Sequence, residues 1–288
     1  AKVPVLRVRD QWMWVLPRAV LPLIVHGRAQ TLLALELGPV AAFVFYALAF
    51  ILFSSSAVQA MTRMGAAYGY FDDTAARNNV PDAQSWRVLG GVAATLLVRP
   101  LLGVAVVYRQ GAPAAELSLL LPLQLFVYSC VLDAWYYAYH RAMHEVPWLW
   151  RFHRLHHVAK HPTVLLSPFA DGEQELMDIL VMPLLAWACF PVNFPTWHVC
   201  QCFVVFTELA GHSGVRLHWA APMTGAVLRA FGLELVVEDH DMHHRHGWRT
   251  SANYGKQTRI YDTLFGTTRP RAEGTDEHVD WARAVPML

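Results

Sequence analysis

Charged residues are scarce in this 288-residue chain: they make up 16%, while hydrophobic residues reach 55%. An ordinary soluble domain carries about 25% charged residues. The shortage points away from a soluble domain and toward a membrane protein with a polar part. The net charge is +1, and neither a basic tail nor an RNA-binding motif is present, which leaves no case for nucleic-acid binding. Cysteine is equally sparse. Cys130, Cys189, Cys200 and Cys202 all sit in apolar segments and read as small hydrophobes, which excludes a disulfide framework. The pair Cys200 and Cys202 lies in mid-segment, far from any polar cluster, so it does not read as a metal site. No GxGxxG fingerprint for a flavin or nicotinamide occurs. Pro17 and Pro22 interrupt the apolar stretch that follows Lys2, Arg7 and Arg9, so no cleavable signal peptide is expected. Internal repeats are absent as well.

Long apolar runs are abundant. A spanning helix needs about 20 mostly apolar residues, and the first candidate covers 31–53. The second covers 88–108 and contains Arg99-Pro100, where an arginine is expensive unless it snorkels or faces the protein interior. Gly111-Ala112-Pro113 forms a short turn, and a third candidate follows at 117–139. Two shorter apolar arms, 176–190 and 196–210, are separated by Pro191-Val-Asn-Phe-Pro195. The expected architecture is all-α and integral to the membrane, built from two helical hairpins. Residues 1–30 form either an interfacial segment or an additional span, and residues 31–288 form one membrane-embedded domain. Residues 140–175 and 211–288 make a polar cap. Arg141, Arg151, Arg154 and Lys160, then Arg245, Arg249, Lys256, Arg259, Arg269 and Arg271, place that cap in the cytosol by the positive-inside rule. The basic N-terminus fits a single span at 31–53 poorly.

Histidine is the residue that stands out. Eight of the fifteen histidines fall in three short segments: His140-Arg-Ala-Met-His144, His153-Arg-Leu-His156-His157 and His240-Asp-Met-His243-His244. Residues three or four apart share a helix face, so each segment directs two or three imidazoles one way. Imidazole suits iron, copper, nickel and zinc. Eight converging imidazoles exceed what one ion takes, which argues for a dinuclear centre. Chance clustering of surface histidines is the alternative, and three recurrences of the pattern count against it. His161 and His246, just outside the clusters, read as surface or substrate-side residues. Trp148, Trp150 and Trp248, near the clusters, read first as packing residues.

These segments bring in a resemblance. Asp133-Ala-Trp-Tyr-Tyr-Ala-Tyr-His140 leads into the first cluster, and Pro147-Trp-Leu-Trp-Arg-Phe-His153 leads into the second. Gly211-His212-Ser-Gly214 follows, then the third cluster, Asn253-Tyr-Gly255 and Tyr261-Asp262-Thr-Leu-Phe265-Gly266-Thr267. In order, spacing and closing signature, residues 117–268 resemble the membrane-bound fatty acid hydroxylase superfamily, which includes sterol C4-methyl oxidases, sterol C5-desaturases and sphingolipid fatty-acid hydroxylases. The resemblance implies a non-haem diiron centre, two iron ions held mainly by histidines, with O2 as co-substrate. It assigns ligand roles to His140, His144, His153, His156, His157, His240, His243 and His244, with His212 as a ninth. Some members carry another histidine four residues before that ninth one, where this chain has Glu208. Glu208 is therefore a candidate ligand, base or water-holder, with a structural hydrogen bond as the alternative. Neutral imidazoles leave the metals' charge uncompensated, so nearby carboxylates are expected to orient ligand N–H groups. Asp133, seven residues before His140, is the first candidate, followed by Asp239, Asp241 and Asp262.

The leading reading is a membrane oxygenase that hydroxylates a C–H bond of a lipid, sterol or terpenoid-like substrate delivered through the bilayer. Electrons are expected from a separate partner: in the family commonly cytochrome b5 with its NADH-dependent reductase, or a ferredoxin in a bacterium. The implied location is the endoplasmic reticulum membrane in a eukaryote or the inner membrane in a bacterium. Desaturation on the same scaffold is the alternative outcome. In another class stand a membrane metal transporter and an electron carrier, but those need polar residues inside several spans. Here the histidine clusters lie outside the apolar runs.

Overall fold

The computed structural model describes all 288 residues, and most of the chain is helical. Helix α1 (Val8–Leu33) and α2 (Pro39–Tyr68) form a first hairpin. A second consists of α3 (Ser85–Leu102), which runs into a π-helical turn (Gly103–Val107), and α4 (Leu121–Glu145). In the third, α5 (Gly172–Leu176) continues through a π-helical stretch (Met177–Val181) into α6 (Met182–Cys189), and α7 (Phe194–Ser213) returns.

All three hairpins turn at one end of the bundle, where the turns are hydrogen-bonded to each other. The Gly111 amide donates to Glu36 Oε2 at 3.1 Å and the Tyr108 hydroxyl to the Leu37 carbonyl at 2.7 Å. Asn193 Nδ2 donates to the Glu116 carbonyl at 3.1 Å. The opposite end carries everything else. There, β1 (Val3–Leu6) pairs in parallel with both β2 (His218–Trp219) and β3 (Val279–Val285). Beside them lie the short α8 (Gly225–Leu228), α9 (Val237–His246) and α10 (Ile260–Leu264).

Three expectations change here. The apolar run at 31–53 is not one helix, because it contains the turn between Leu33 and Pro39. Leu35 and Leu37 keep hydropathy high across that turn, while Gly38-Pro39 marks the real start, with proline in the first turn where its missing N–H costs nothing. Second, α1 occupies residues that read as either interfacial or spanning, so the hairpins number three rather than two. With α1 starting at the histidine end, a basic N-terminus on the side of the basic cap is no longer awkward. Third, the fold is not purely helical: a small parallel sheet ties both chain ends to the cap.

Helix α7 lies at the centre. Eighteen of its twenty residues are buried, and a helix apolar on all sides belongs inside a protein. The Asn193 side chain accepts the Thr196 amide at 3.1 Å and so caps its start. At its end, Gly214 adopts φ +59, and a Cβ there would strike the Arg77 guanidinium at 2.3 Å. Around this centre, α1 to α4 expose Leu21, Ile24, Leu32, Val40, Val44, Leu48, Leu52, Leu89, Leu97 and Leu123. Such a belt of exposed large apolar side chains needs an apolar environment. Two helices, Pro39–Tyr68 and the stretch 82–107, are long and apolar enough to cross a membrane.

Candidate metal centre

Four segments meet at the end of the bundle away from the turns. Helix α4 supplies His140 and His144, 3₁₀ turns around 150–158 supply His153, His156 and His157, α7 supplies His212, and α9 supplies His240, His243 and His244. All nine are buried. They sort into two groups whose ligand atoms lie within 4.8 Å of one another: His140, His144, His153, His157 and His243 in one, and His156, His212, His240 and His244 in the other. The groups share a border, where the His157 and His244 rings stack at 4.8 Å.

The hydrogen bonds of these rings show which nitrogen faces inward. His140 Nδ1 lies 2.7 Å from the Tyr254 carbonyl, His144 Nδ1 3.0 Å from that of Trp248, and His243 Nδ1 2.8 Å from that of Ala252. His156, His212 and His244 meet the carbonyls of Phe169, Glu208 and Ala159 at 3.0, 2.7 and 2.9 Å. His153 Nδ1 meets Gln174 Oε1 at 2.8 Å. A carbonyl only accepts, so in these seven rings Nδ1 carries the proton and Nε2 holds a free lone pair. Two pairs of those Nε2 atoms meet, His140 with His153 and His156 with His212, each at 3.1 Å. The Nε2 atoms of the two remaining rings close in on them, His157 on His153 at 3.1 Å and on His243 at 3.0 Å, and His240 on His212 at 3.1 Å.

Lone pairs at that distance repel unless something positive stands between them. Protonation is not the answer, because burial holds the pKa of His156 down to about 4. Burial and the neighbouring imidazoles also hold His153, His157, His240, His243 and His244 well below the usual imidazole range. Two nitrogens about 2.1 Å from a shared ion and at right angles are about 3.0 Å apart. The donor set therefore fits metal ions, and each group offers enough neutral imidazoles to hold one.

The expected carboxylates stand elsewhere. No ligand ring donates to Asp133, Asp239, Asp241 or Asp262, because backbone carbonyls occupy those positions. Asp133, fully buried on α4, instead takes the amides of Lys256 and Gln257 on Oδ1 and the amide and hydroxyl of Thr258 on Oδ2. Asp262 takes the amides of Tyr254 and Gly255 at 2.8 Å. Together they pin the loop whose Tyr254 carbonyl holds His140. Asn253 tolerates φ +57 in this loop. Asp239 caps α9 through the Val236 amide and pairs with Arg271, while Asp241 pairs with Arg77 and Arg245. Gln174 and Arg77 carry no signal in the sequence that ties them to the histidines.

Replacing Asp133 with Asn puts an amide NH₂ against donors that both carboxylate oxygens now serve. We expect metal affinity to fall about 10- to 100-fold, the usual cost of disturbing a ligand's support, with the protein still assembled. Competition against a chelator measures this, and wild-type affinity in the variant would mean that the loop is held without Asp133.

Glu208 is not among the converging ligand atoms. Its Oε2 accepts from Arg99 Nη2 at 2.7 Å, and Arg99 Nη1 donates to Gln201 Oε1 at 3.2 Å. Arg99, the arginine within an apolar run, thus faces the interior and is 2% exposed. Both residues line a cavity of about 550 Å³ between α2, α3 and α7. Ser54, Val58, Val88, Leu89, Val92, Leu96, Val164, Leu165 and Val205 form much of its wall, and His212 lies at its boundary. One of the nine imidazoles therefore borders both the candidate metal centre and the cavity.

Comparison with known proteins agrees with this geometry. The family model described as Fatty acid hydroxylase matches residues 125–267. The chain is 37% identical over 309 aligned residues to Fatty acid hydroxylase vlmA of Lecanicillium sp, covering 100% of this chain and 84% of that one. It is 30% identical over 166 residues to Cholesterol 25-hydroxylase of Homo sapiens, covering 54% of each. Methylsterol monooxygenase erg25A of Aspergillus fumigatus is 29% identical over 151 residues, covering 51% of this chain and 47% of the relative. The chain thus spans about half the length of the two sterol enzymes. No solved structure matches it.

Proposed function

Because the chain belongs to the fatty acid hydroxylase family, and is an oxidoreductase of that family's kind, we propose that it is an O2-dependent membrane monooxygenase with two non-haem irons. On this reading it hydroxylates a C–H bond of an apolar lipid, sterol or terpenoid-like substrate. The observation that carries the reading is the double set of inward-facing imidazoles, one of which, His212, borders a cavity with a largely apolar wall. His140, His144, His153, His157 and His243 would hold one iron, and His156, His212, His240 and His244 the other. The irons supply the activation of O2.

The chain's own residues do the rest. The carbonyl cradle fixes each ring's rotation, so the ligands are preorganised and little reorganisation accompanies the reaction. Burial keeps the imidazoles neutral and excludes water. The cavity lies among the helices that face the apolar belt, so substrate enters from the bilayer and reaches the irons past His212. The Arg99–Glu208 pair closes the polar end of that path without offering a net charge. Electrons come from a separate one-electron carrier such as cytochrome b5 or a ferredoxin. Expression with a matched reductase under labelled O2 tests the reading. A product heavier by one labelled oxygen atom is expected, whereas loss of two hydrogens with no label would make the enzyme a desaturase.

The three hairpins are read as six crossings, with the histidine end in the cytosol. The basic residues support this: the turn end carries only Arg109 in its loops, while the other end carries most of the chain's arginines. Single cysteines at Lys160 and Ala112, both exposed, in a background lacking the four native cysteines, test it in sealed vesicles. A membrane-impermeant reagent on the cytosolic side is expected to label position 160 and spare position 112. The reverse pattern would put the metal centre on the wrong side for a cytosolic donor.

A further inference from the structure

The cap's cations divide into two kinds. Arg77, Arg141, Arg216, Arg245, Arg259 and Arg271 are each ion-paired with a carboxylate. Arg151, Arg154, Lys160 and Arg249 are exposed and form no ion pair; Arg229 and Arg283 are exposed and unpaired as well, Arg229 lying over Trp281. The first four belong to the two segments, 148–160 and 247–249, that carry one aromatic feature. Trp150 and Trp248 stack at 5.9 Å with 15° between their planes. Inward, the Trp150 ring lies 5.2 Å from His144 and 5.6 Å from His157, both in the five-histidine group. Outward, Trp248 is 38% exposed, and Trp148, two residues before Trp150 in the chain, is 61% exposed.

Arg249 and Lys160 lie beside this pair, and Arg151 and Arg154 follow Trp150 along the chain. The Arg249 guanidinium lies 4.8 Å from the Trp248 ring centroid. Lys160 Nζ packs against Gly247, where a Cβ would approach it to 2.4 Å. Arg151 follows Trp150 directly, and the Arg154 amide donates to the Trp150 carbonyl at 2.8 Å. A packing role explains Trp150 but not an exposed stacked partner beside uncompensated positive charge.

We propose that this patch is the docking surface for an acidic one-electron carrier protein, with Trp248 and Trp150 as the contact between the carrier and the five-histidine site. The proposal rests on the oxygenase reading. Inserting one atom of O2 into a C–H bond while reducing the other to water consumes two electrons and two protons, so a one-electron carrier must dock twice per turnover. Unpaired cations suit that task. They raise the encounter rate with an acidic partner, and they leave no deep interlock to slow its release. Lipid headgroups would also attract arginine and tryptophan, but headgroup binding gives no reason for the aromatic stack to end on the histidine rings.

The test uses the full iron-loaded chain in nanodiscs of neutral phosphatidylcholine and the acidic haem domain of cytochrome b5 as the probe. Its affinity and the rate of its oxidation under single-turnover conditions are both measured. For the wild type, both should fall steeply as salt rises and the Debye length shrinks below about 10 Å. The combined variant Arg151→Glu, Arg154→Glu, Lys160→Glu and Arg249→Glu should bind at least about tenfold more weakly and oxidise the probe correspondingly more slowly. Its reduction by dithionite should match the wild type, and the distant exposed Arg283→Glu should change nothing. Wild-type affinity for the probe in the combined variant would overturn the proposal. So would intact probe binding accompanied by altered insertion into anionic bilayers, which would assign the patch to headgroups. If dithionite reduces nothing in the iron-loaded wild type, the oxygenase reading fails first and the proposal with it.

Discussion

Replacing His156 or His243 with alanine is expected to reduce turnover to background while the protein still inserts into membranes. Each lies in a different histidine group, and most of the neighbouring rings have their Nδ1 committed to a carbonyl, so few are free to rotate into its place. Disturbing only the support of a ligand already costs about 10- to 100-fold in affinity or activity, so losing the ligand should cost at least about a hundredfold. The two variants should differ in what they retain. His156→Ala opens the four-histidine group, which has one ligand fewer to spare, and should shed more of its ion. His243→Ala leaves four imidazoles in its group and should shed less. Activity and metal content measured on the same preparations separate these effects. Full activity in both variants would remove the dinuclear centre from the account.

The second large effect concerns Arg99 and Glu208. Their side chains are 2% and 11% exposed, so removing one partner leaves the other charge buried and uncompensated, which typically costs about 3–5 kcal/mol. Arg99→Leu should therefore lower the thermal midpoint markedly and distort the cavity floor beside His212. The double variant Arg99→Leu with Glu208→Leu should recover much of the stability, because a buried pair replaced by apolar residues is often neutral. Its activity should stay low, since the polar end of the cavity is gone. Glu208→Gln separates roles in a different way. The amide keeps a hydrogen bond to Arg99 but not the charge, so the variant should lose stability and keep its metal. Loss of an ion with unchanged stability would instead make Glu208 a ligand. Thermal unfolding and metal content distinguish these outcomes.

Much of the site was legible because it depends on local spacing. His140 and His144 share a helical face, as do His240, His243 and His244, and those intervals survive in the fold. The division into five and four was not legible, because it arises from how α4, α7 and α9 cross in space. The carboxylate expectation failed for a physical reason. Backbone carbonyls already satisfy six of the Nδ1 protons, and a carbonyl leaves no trace in a sequence. Asp133, singled out for sharing a helical face with His140, binds the 256–258 loop rather than a ring. In the fold, Gly38-Pro39 marked a helix start that hydropathy concealed. Helix α1 was left between an interfacial segment and an additional span because its arginines and two prolines depress the apolar signal, although its buried face packs against α7. The parallel strand β1 was too short to show a period of two, and its partners lie more than two hundred residues away.

The proposed centre is two metal ions held by nine histidines, and the most direct measurement of it is iron quantification with Mössbauer spectroscopy. The sample is the full chain, produced with ⁵⁷Fe and purified without chelators. The expected result is about two irons per chain, in two nitrogen-rich environments that differ because one has five imidazoles and the other four. Haem absorption should be absent. A single iron, stoichiometric zinc in a fully active preparation, or a Soret band that accounts for all the iron would contradict it.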